Sequence, residues 1–472
     1  MKPNGASHSS ANNRRDFLST LAGCAATLAM PKRVWGENDA QPDRPPNVIV
    51  ILTDDQGYQD IGCFGSPDIK TPCLDRMAAE GMRFTDFHVA APVCTPSRAA
   101  ILTGCYPQRV SLPAVLFPNS KIGLHPDEVT LAKLLKTRGY ATCCIGKWHL
   151  GHLPPFLPTR HGFDSYFGIP YSNDMHRKDR GDPEIPLMRD ERIVEQPAVQ
   201  ETLTERYTAE AVRFITANKD RPFFLYLPHT MPHVPLHVSD RFKGRSKRGL
   251  YGDVIECIDW GTGEILDTLR RLGLASRTLV VYTSDNGPWL TMGKDGGSAW
   301  PLRAGKGTTY EGGMRVPCIM WWPGRIPAGR VCSELTVSFD LYPTFARLSG
   351  AALPRDRIID GKDIRPLMSG AEGAKTPHEV FFYYRLDHLE AVRSGPWKLM
   401  LERGRQGAGA GAPRLPAELY NLQTDIGETR NVAAEHPDVV ARLEALAERC
   451  RDDLGDASRK RPGKNRRPAG RV

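Results

Sequence analysis

The chain has 472 residues, of which 40% are hydrophobic and 25% charged, an ordinary globular balance that excludes a disordered, collagen-like or coiled-coil protein. No apolar run reaches the ~18 residues that a spanning helix needs, which excludes a polytopic membrane protein. The net charge of +9 sits at the ends: residues 455–472 carry seven cations against Asp456 alone, and residues 1–36 carry five against Asp16 alone. The body between is close to neutral, so the charge is no argument for a nucleic-acid partner.

Residues 1–36 read as an export signal. Arg14-Arg15-Asp16-Phe17-Leu18 opens an uncharged stretch over residues 17–30, too short to span a bilayer and right for a signal-peptide apolar region. The arginine pair resembles a twin-arginine signal. Leu21-Ala22-Gly23-Cys24 resembles a lipoprotein cleavage box, an alternative in which Cys24 carries a lipid anchor. Both readings put the protein outside the cytoplasm, in the periplasm or beyond. The eleven cysteines are irregularly spaced, with Cys143 and Cys144 adjacent. That spacing suits buried small hydrophobes better than a disulfide framework.

The run Asn47-Val48-Ile49-Val50-Ile51-Leu52 predicts a strand buried on both faces. Thr71-Pro72 opens a helix that Gly81 ends, and a second helix runs from near Ser97 to Gly104. Residues 130–138 predict a helix, 140–145 a strand, 204–218 a helix, 223–227 a strand, 253–272 a long helix and 278–283 a strand. This alternation predicts an α/β fold with a large, mostly parallel sheet flanked by helices. After about Gly350 the pattern changes: residues 379–384 and 390–401 read as antiparallel strands and 437–454 as an amphipathic helix, a smaller α+β domain. The organisation is thus a catalytic domain over residues 46–350, a small domain over 376–454 and a basic, disordered, solvated tail over 455–472. Residues 404–413, rich in Gly and Ala, read as a surface loop.

In such sheets ligands bind beyond the carboxyl ends of the strands. Asp54-Asp55 follow the first strand, Lys147-Trp148-His149 follow the 140–145 strand, His229 follows the 223–227 strand, and Asp285-Asn286 follow the 278–283 strand. Any one could be a cap or a surface turn; four strand ends carrying metal and anion chemistry on one edge make a site. Aspartate carboxylates and an amide oxygen are hard ligands that suit Ca²⁺ or Mg²⁺ rather than zinc.

Cys94-Thr95-Pro96-Ser97-Arg98, running on to Leu102-Thr103-Gly104, resembles the sulfatase signature. The resemblance extends to Gly146-Lys147-Trp148-His149-Leu150-Gly151, to Ser284-Asp285-Asn286-Gly287, to the loop Gly305-Lys306-Gly307 through Gly313, and to Leu419-Tyr420-Asn421-Leu422 with Asp425 and Glu428. The stretches 146–151 and 163–171 are similar to the arylsulfatase A and N-acetylgalactosamine-6-sulfatase type. It implies an alkaline-phosphatase-like fold and hydrolysis of sulfate monoesters of sulfated sugars or aryl alcohols. It also implies that Cys94 is oxidised by a formylglycine-generating enzyme to Cα-formylglycine, whose hydrate takes the sulfate and releases it by C–O cleavage. Calcium, in preference to magnesium, is then held by Asp54, Asp55, Asp285, Asn286 and position 94. Lys147 and Lys306 hold sulfate oxygens, Arg98 holds the diol and the metal-ligand carboxylates, His149 is the base on the diol, and His229 is the general acid. His233 is the rival for that last role. Two alternatives stand beside this reading: a phosphonate or phosphate ester hydrolase built on the same aldehyde, and an inactive glycan-binding relative.

Overall fold

The computed structural model describes residues 44–404 and 414–472. The export signal, Cys24 and most of the 404–413 loop therefore lie outside the described residues. Among the described residues no helix is long and apolar enough to cross a membrane, and every cysteine is free.

The first apolar run forms the strand Asn47–Thr53, with every residue buried. Its side chains alternate between two apolar layers. Val48, Val50 and Leu52 pack in one cluster with Ile101 and Leu102, while Ile49 and Ile51 pack in the other with Tyr207, Ile258 and Ile265. The strand pairs in parallel with Thr278–Ser284 on one side and Phe223–Pro228 on the other. Ala141–Ile145 and Ser165–Gly168 continue in parallel beyond Phe223–Pro228. Further strands extend both edges to make a ten-stranded sheet, each extension starting with an antiparallel strand, Cys318–Trp321 beside Thr278–Ser284 and Leu187–Arg189 beside Ser165–Gly168. The helices Leu203–Ala217 and Leu250–Arg271 cover one face, and Cys94–Thr103 covers the other. The fold is α/β, mostly parallel, as expected.

The helix expected from near Ser97 begins at Cys94 itself and ends at Gly104, whose φ of 71° is the left-handed cap that glycine accepts without steric cost. Pro96 falls within the first turn, where a missing N–H leaves no intrahelical bond unmade.

The C-terminal region is a separate four-stranded antiparallel sheet of Phe381–Arg385, His388–Ser394, Trp397–Met400 and Glu418–Asn421. The stretch expected as one strand over 390–401 is a hairpin, turned at Gly395 with φ 57°. The helix Pro437–Leu454 buries Leu443, Leu446, Ala447, Cys450 and Leu454 against Tyr383, Leu399 and Met400 of that sheet.

Residues 455–472 are not a solvated tail. Arg467 donates to Glu128 at 2.7 Å and Arg466 pairs with Asp387 at 3.0 Å. Arg461 pairs with Asp452 and Glu448, and Gly470–Arg471 forms a short antiparallel pair with Ile122–Gly123. The run looks unpartnered when its charges are counted alone, but its acidic partners lie on the preceding helix or far upstream, at Asp387 and Glu128.

Candidate active site

Three parallel strands deliver the acidic residues and the first lysine to one edge. Asp54 and Asp55 leave Asn47–Thr53, Asp285 and Asn286 leave Thr278–Ser284, and Lys147 leaves Ala141–Ile145. The chain turns sharply after each strand. Gly146 sits at φ 127° with its Cα against the Pro228 carbonyl, where a Cβ would overlap the oxygen. Asp55 itself adopts φ 65°, an uncommon conformation for a residue with a Cβ and one that concentrates at functional sites.

Asp54, Asp285 and Arg98 are fully buried. The Arg98 guanidinium donates through Nε at 3.0 Å and Nη2 at 2.7 Å to Asp285 Oδ2, and its Nη2 lies 3.1 Å from Asp54 Oδ2. Lys147 Nζ donates to Asp54 Oδ2 and, at 3.0 Å, to Ser172 Oγ. Lys306 Nζ donates to Asp55 Oδ2 at 2.7 Å and lies 4.4 Å from the centre of the Trp289 ring. Burial pushes the Asp54 carboxyl up, but Lys147 and Arg98 outweigh it and hold the group well below the usual carboxylate range. Asp285 goes the other way: burial and the Asp54 charge raise it against the pull of Arg98. The two acids thus share a limited supply of positive charge.

This cluster suits a hard cation. Asp54 Oδ1 and Asn286 Oδ1 are buried oxygens without a hydrogen-bond partner, and the Asn286 amide nitrogen donates to Asp55 Oδ1 at 2.7 Å. Oxygens of Asp54 and Asp55 and a ring nitrogen of His233 lie within 4.8 Å of one another. Unpaired buried oxygens are costly in isolation, and a divalent cation would satisfy them together.

Cys94, 3% exposed, lies in the field of Lys147, Lys306, Asp54 and Asp285. Burial pushes its thiol up to about 11, against Lys147 and Lys306, which lower it. Thr95 Oγ1 donates to the His149 carbonyl at 3.0 Å, tying the start of the cysteine helix to the Lys147-Trp148-His149 segment. The His149 ring Nε2 lies 2.8 Å from the Leu116 carbonyl. An acceptor there requires Nε2 to carry the proton, which leaves Nδ1 as a free lone pair; Nδ1 is buried and unpartnered. Burial, with Lys147 adding to it, holds His149 well below its ordinary value, so the ring is neutral.

The two histidines of the 229–233 loop part company. His229 follows its strand directly, as expected, but its ring packs 6.3 Å from Tyr207 on the helix Leu203–Ala217, and burial alone lowers it to about 4. His233 is the one in the cluster: its Nε2 lies 3.6 Å from Asp55 Oδ2, its ring packs 5.6 Å from Trp289, and its Nδ1 donates to the Val234 carbonyl at 2.6 Å. Of the two, it is His233 rather than His229 that the structure brings beside Asp55. Direct succession to a strand fixes where the His229 backbone goes, while pleat alternation turned this ring under the helix layer. Ser172 and Trp289 are further site residues that motif reading did not single out. Trp289 lies three residues past Asn286, on the same strand-end loop.

A parallel α/β sheet whose strand ends converge on buried acids, two lysines and an arginine is a hydrolase architecture for anionic esters. The comparisons agree. The sulfatase family model matches residues 46–351, and the model for the C-terminal region of aryl-sulfatase matches 376–466. N-acetylgalactosamine-6-sulfatase of Canis lupus familiaris is 44% identical over 77% of this chain and 73% of its own length. Arylsulfatase A of Homo sapiens is 40% identical over 85% of this chain and 87% of its own length. Among solved structures, Ps i-CgsB in complex with k-i-k-neocarrahexaose superposes with a TM-score of 0.75 at 33% identity, covering 86% of this chain and 92% of that one. The chain belongs to the sulfatase family, and it is a sulfuric ester hydrolase.

Proposed function

We propose that this enzyme is exported and removes sulfate from a sulfated carbohydrate, using a hydrated Cα-formylglycine made from Cys94 and a bound calcium ion. The observation that carries the reading is the placement of Cys94 in one field with Lys147, Lys306, Asp54 and Asp285. A thiol pushed up to about 11 is a poor nucleophile at neutral pH, because only the thiolate attacks. Conversion to an aldehyde removes that handicap: once hydrated, position 94 supplies a diol with one oxygen to attack sulfur and a second to drive release. Asp54, Asp55, Asp285 and Asn286 would hold calcium, which when bound offsets the repulsion between three carboxylates and an anionic ester.

The chain's own residues then divide the remaining work. Lys147 and Lys306 bind the sulfate oxygens, where negative charge must be met as the ester bond lengthens. Arg98 holds Asp54 and Asp285 in place. His149, neutral and with Nδ1 free, takes a proton from the diol. His233 gives a proton to the leaving alcohol, a role that its place beside Asp55 and Lys306 supports and that the position of His229 does not. A sugar ester is favoured because the similar proteins include an N-acetylgalactosamine-6-sulfatase and a structure solved with k-i-k-neocarrahexaose.

The test is the mass of the protease fragment containing Cys94, from protein co-produced with a formylglycine-generating enzyme. Replacing CH₂SH by CHO lowers the mass by about 18 Da. The expected result is the lighter fragment, together with sulfate release from sulfated glycans that is lost in Cys94→Ala. A fragment at the unmodified mass in protein that nevertheless releases sulfate would overturn the nucleophile assignment.

A further inference from the structure

The Lys306 loop is held from two sides. From the catalytic domain, the Lys306 amide donates to the Pro288 carbonyl and the Gly307 amide to the Pro92 carbonyl, each at 2.9 Å. Gly287 and Gly312 pack so closely here that a Cβ on Gly287 would overlap the Gly312 carbonyl. The other side is gripped by the C-terminal region. Glu428 Oε2 accepts the Glu311 amide at 2.7 Å. Lys398 Nζ lies 2.9 Å from Glu311 Oε1 and 2.8 Å from Glu428 Oε1, with all three side chains fully buried. At the loop's other end Arg303 donates to the Glu428 carbonyl at 2.8 Å and to the Tyr420 hydroxyl at 2.9 Å. The Tyr310 hydroxyl accepts from Arg403 at 2.7 Å.

A buried ion cluster of this kind is no more stabilising than apolar side chains of the same volume, since desolvation consumes most of the Coulomb gain. What it does supply is register: an amide bonded to one carboxylate oxygen can occupy one position only. Asp86, His88 and Glu311 also converge here, but Arg393, Arg315 and Lys398 already pair with their carboxylates, so the cluster has no room for a further cation. We propose that Glu428, acting with Lys398 through the Glu311 amide, is a positioning residue by which the C-terminal domain sets Lys306 at the sulfate. The proposal rests on the reading that Lys306 binds sulfate, and it gives the Leu419-Tyr420-Asn421-Leu422 and Glu428 motif a task.

The experiment is a double-mutant cycle read by calorimetric binding of inorganic sulfate and by the separate kcat and KM for 4-nitrophenyl sulfate. Glu428→Gln keeps volume and removes one acceptor charge. It is expected to raise KM and the sulfate Kd roughly tenfold, a loss of ~1.4 kcal/mol, and to add nothing in a Lys306→Ala background. Equal losses in both backgrounds would mean a general structural role and overturn the proposal, as would an unchanged KM. Should Lys306→Ala itself leave sulfate binding unaltered, the sulfate role of Lys306 fails first and the proposal falls with it. Tyr310→Phe, which deletes one hydroxyl at the edge of the cluster, is expected to follow the same pattern at smaller size; it decides the question if Glu428→Gln does not fold.

Discussion

The Arg98 guanidinium joins two carboxylates from neighbouring strands, its Nη2 lying 2.7 Å from Asp285 Oδ2 and 3.1 Å from Asp54 Oδ2. Arginine suits this position because its planar fork reaches both acids while its Nη1 donates to the Lys147 carbonyl at 2.8 Å. All three side chains are shut away from water, so neither acid can recover hydration if the arginine goes. Arg98→Met is expected to cost about 3–5 kcal/mol, the usual penalty for stranding one side of a buried pair. Urea unfolding of the metal-free protein measures it; a loss below about 1 kcal/mol, the size of an exposed pair, would show that the bridge is not structural.

Calcium is expected to stabilise the fold through the same oxygens. Protein stripped with a chelator and then supplied with calcium at a hundredfold excess over Kd should gain about 2.7 kcal/mol, seen as a rise in Tm. Asp54→Asn removes one charge from the Asp54, Asp55 and Asp285 set and should abolish most of that gain, read as the difference between the calcium-supplied and metal-free Tm of the same variant. An identical Tm with and without calcium in the unaltered chain would exclude a site at these residues.

Much of this arrangement was legible in the chain itself. The β-branched run at 47–52 and its counterpart at 278–283 form the sheet centre, and residues immediately after them, Asp54 and Asp285, have no freedom to go elsewhere. Lys306 was legible only through its resemblance to a family loop, because its strand-free segment has no periodicity to place it. Adjacency of His229 to its strand fixes where its backbone runs but not where its ring points, and the loop's return path brings His233 to Asp55. The basic run after Gly455 misled because local composition reports charge but not the distant Glu128 and Asp387 that neutralise it.

The histidine assignment separates cleanly in kinetics. His233→Gln is expected to lower kcat by ~10²–10⁴-fold for a sulfated sugar, the range for losing a general acid. The loss should be much smaller for 4-nitrophenyl sulfate, whose leaving group needs little protonation. His229→Gln should leave kcat near the unaltered value with both substrates. The reverse pattern, with His229 carrying the leaving-group dependence, would return the acid role to His229.

His161 links burial to acid sensitivity. Its ring is fully buried against Trp148, with centroids 5.7 Å apart, and both ring nitrogens lack partners. Burial, with Lys133 adding to it, lowers the group to about 3. Because the folded value lies below the unfolded one near 6.5, the unfolded chain binds the extra proton first. Stability from this residue is thus complete above pH ~6.5 and falls as pH drops toward the folded value, by up to ~1.4 kcal/mol per pH unit. His229, lowered to about 4 by burial, acts in the same direction. Asp60 and Asp259, each raised by burial to about 6, act oppositely, losing stability as pH rises from about 4 to 6. The raw pH curve therefore mixes signs, and the difference between His161→Phe and the unaltered chain isolates the histidine. Phenylalanine fills the same space beside Trp148 and cannot titrate, so the variant's relative stability should be flat above pH ~6.5 and rise steadily below it. Parallel stability curves down to pH 4.5, measured by urea unfolding, would mean that His161 reaches water or a proton acceptor in the folded state.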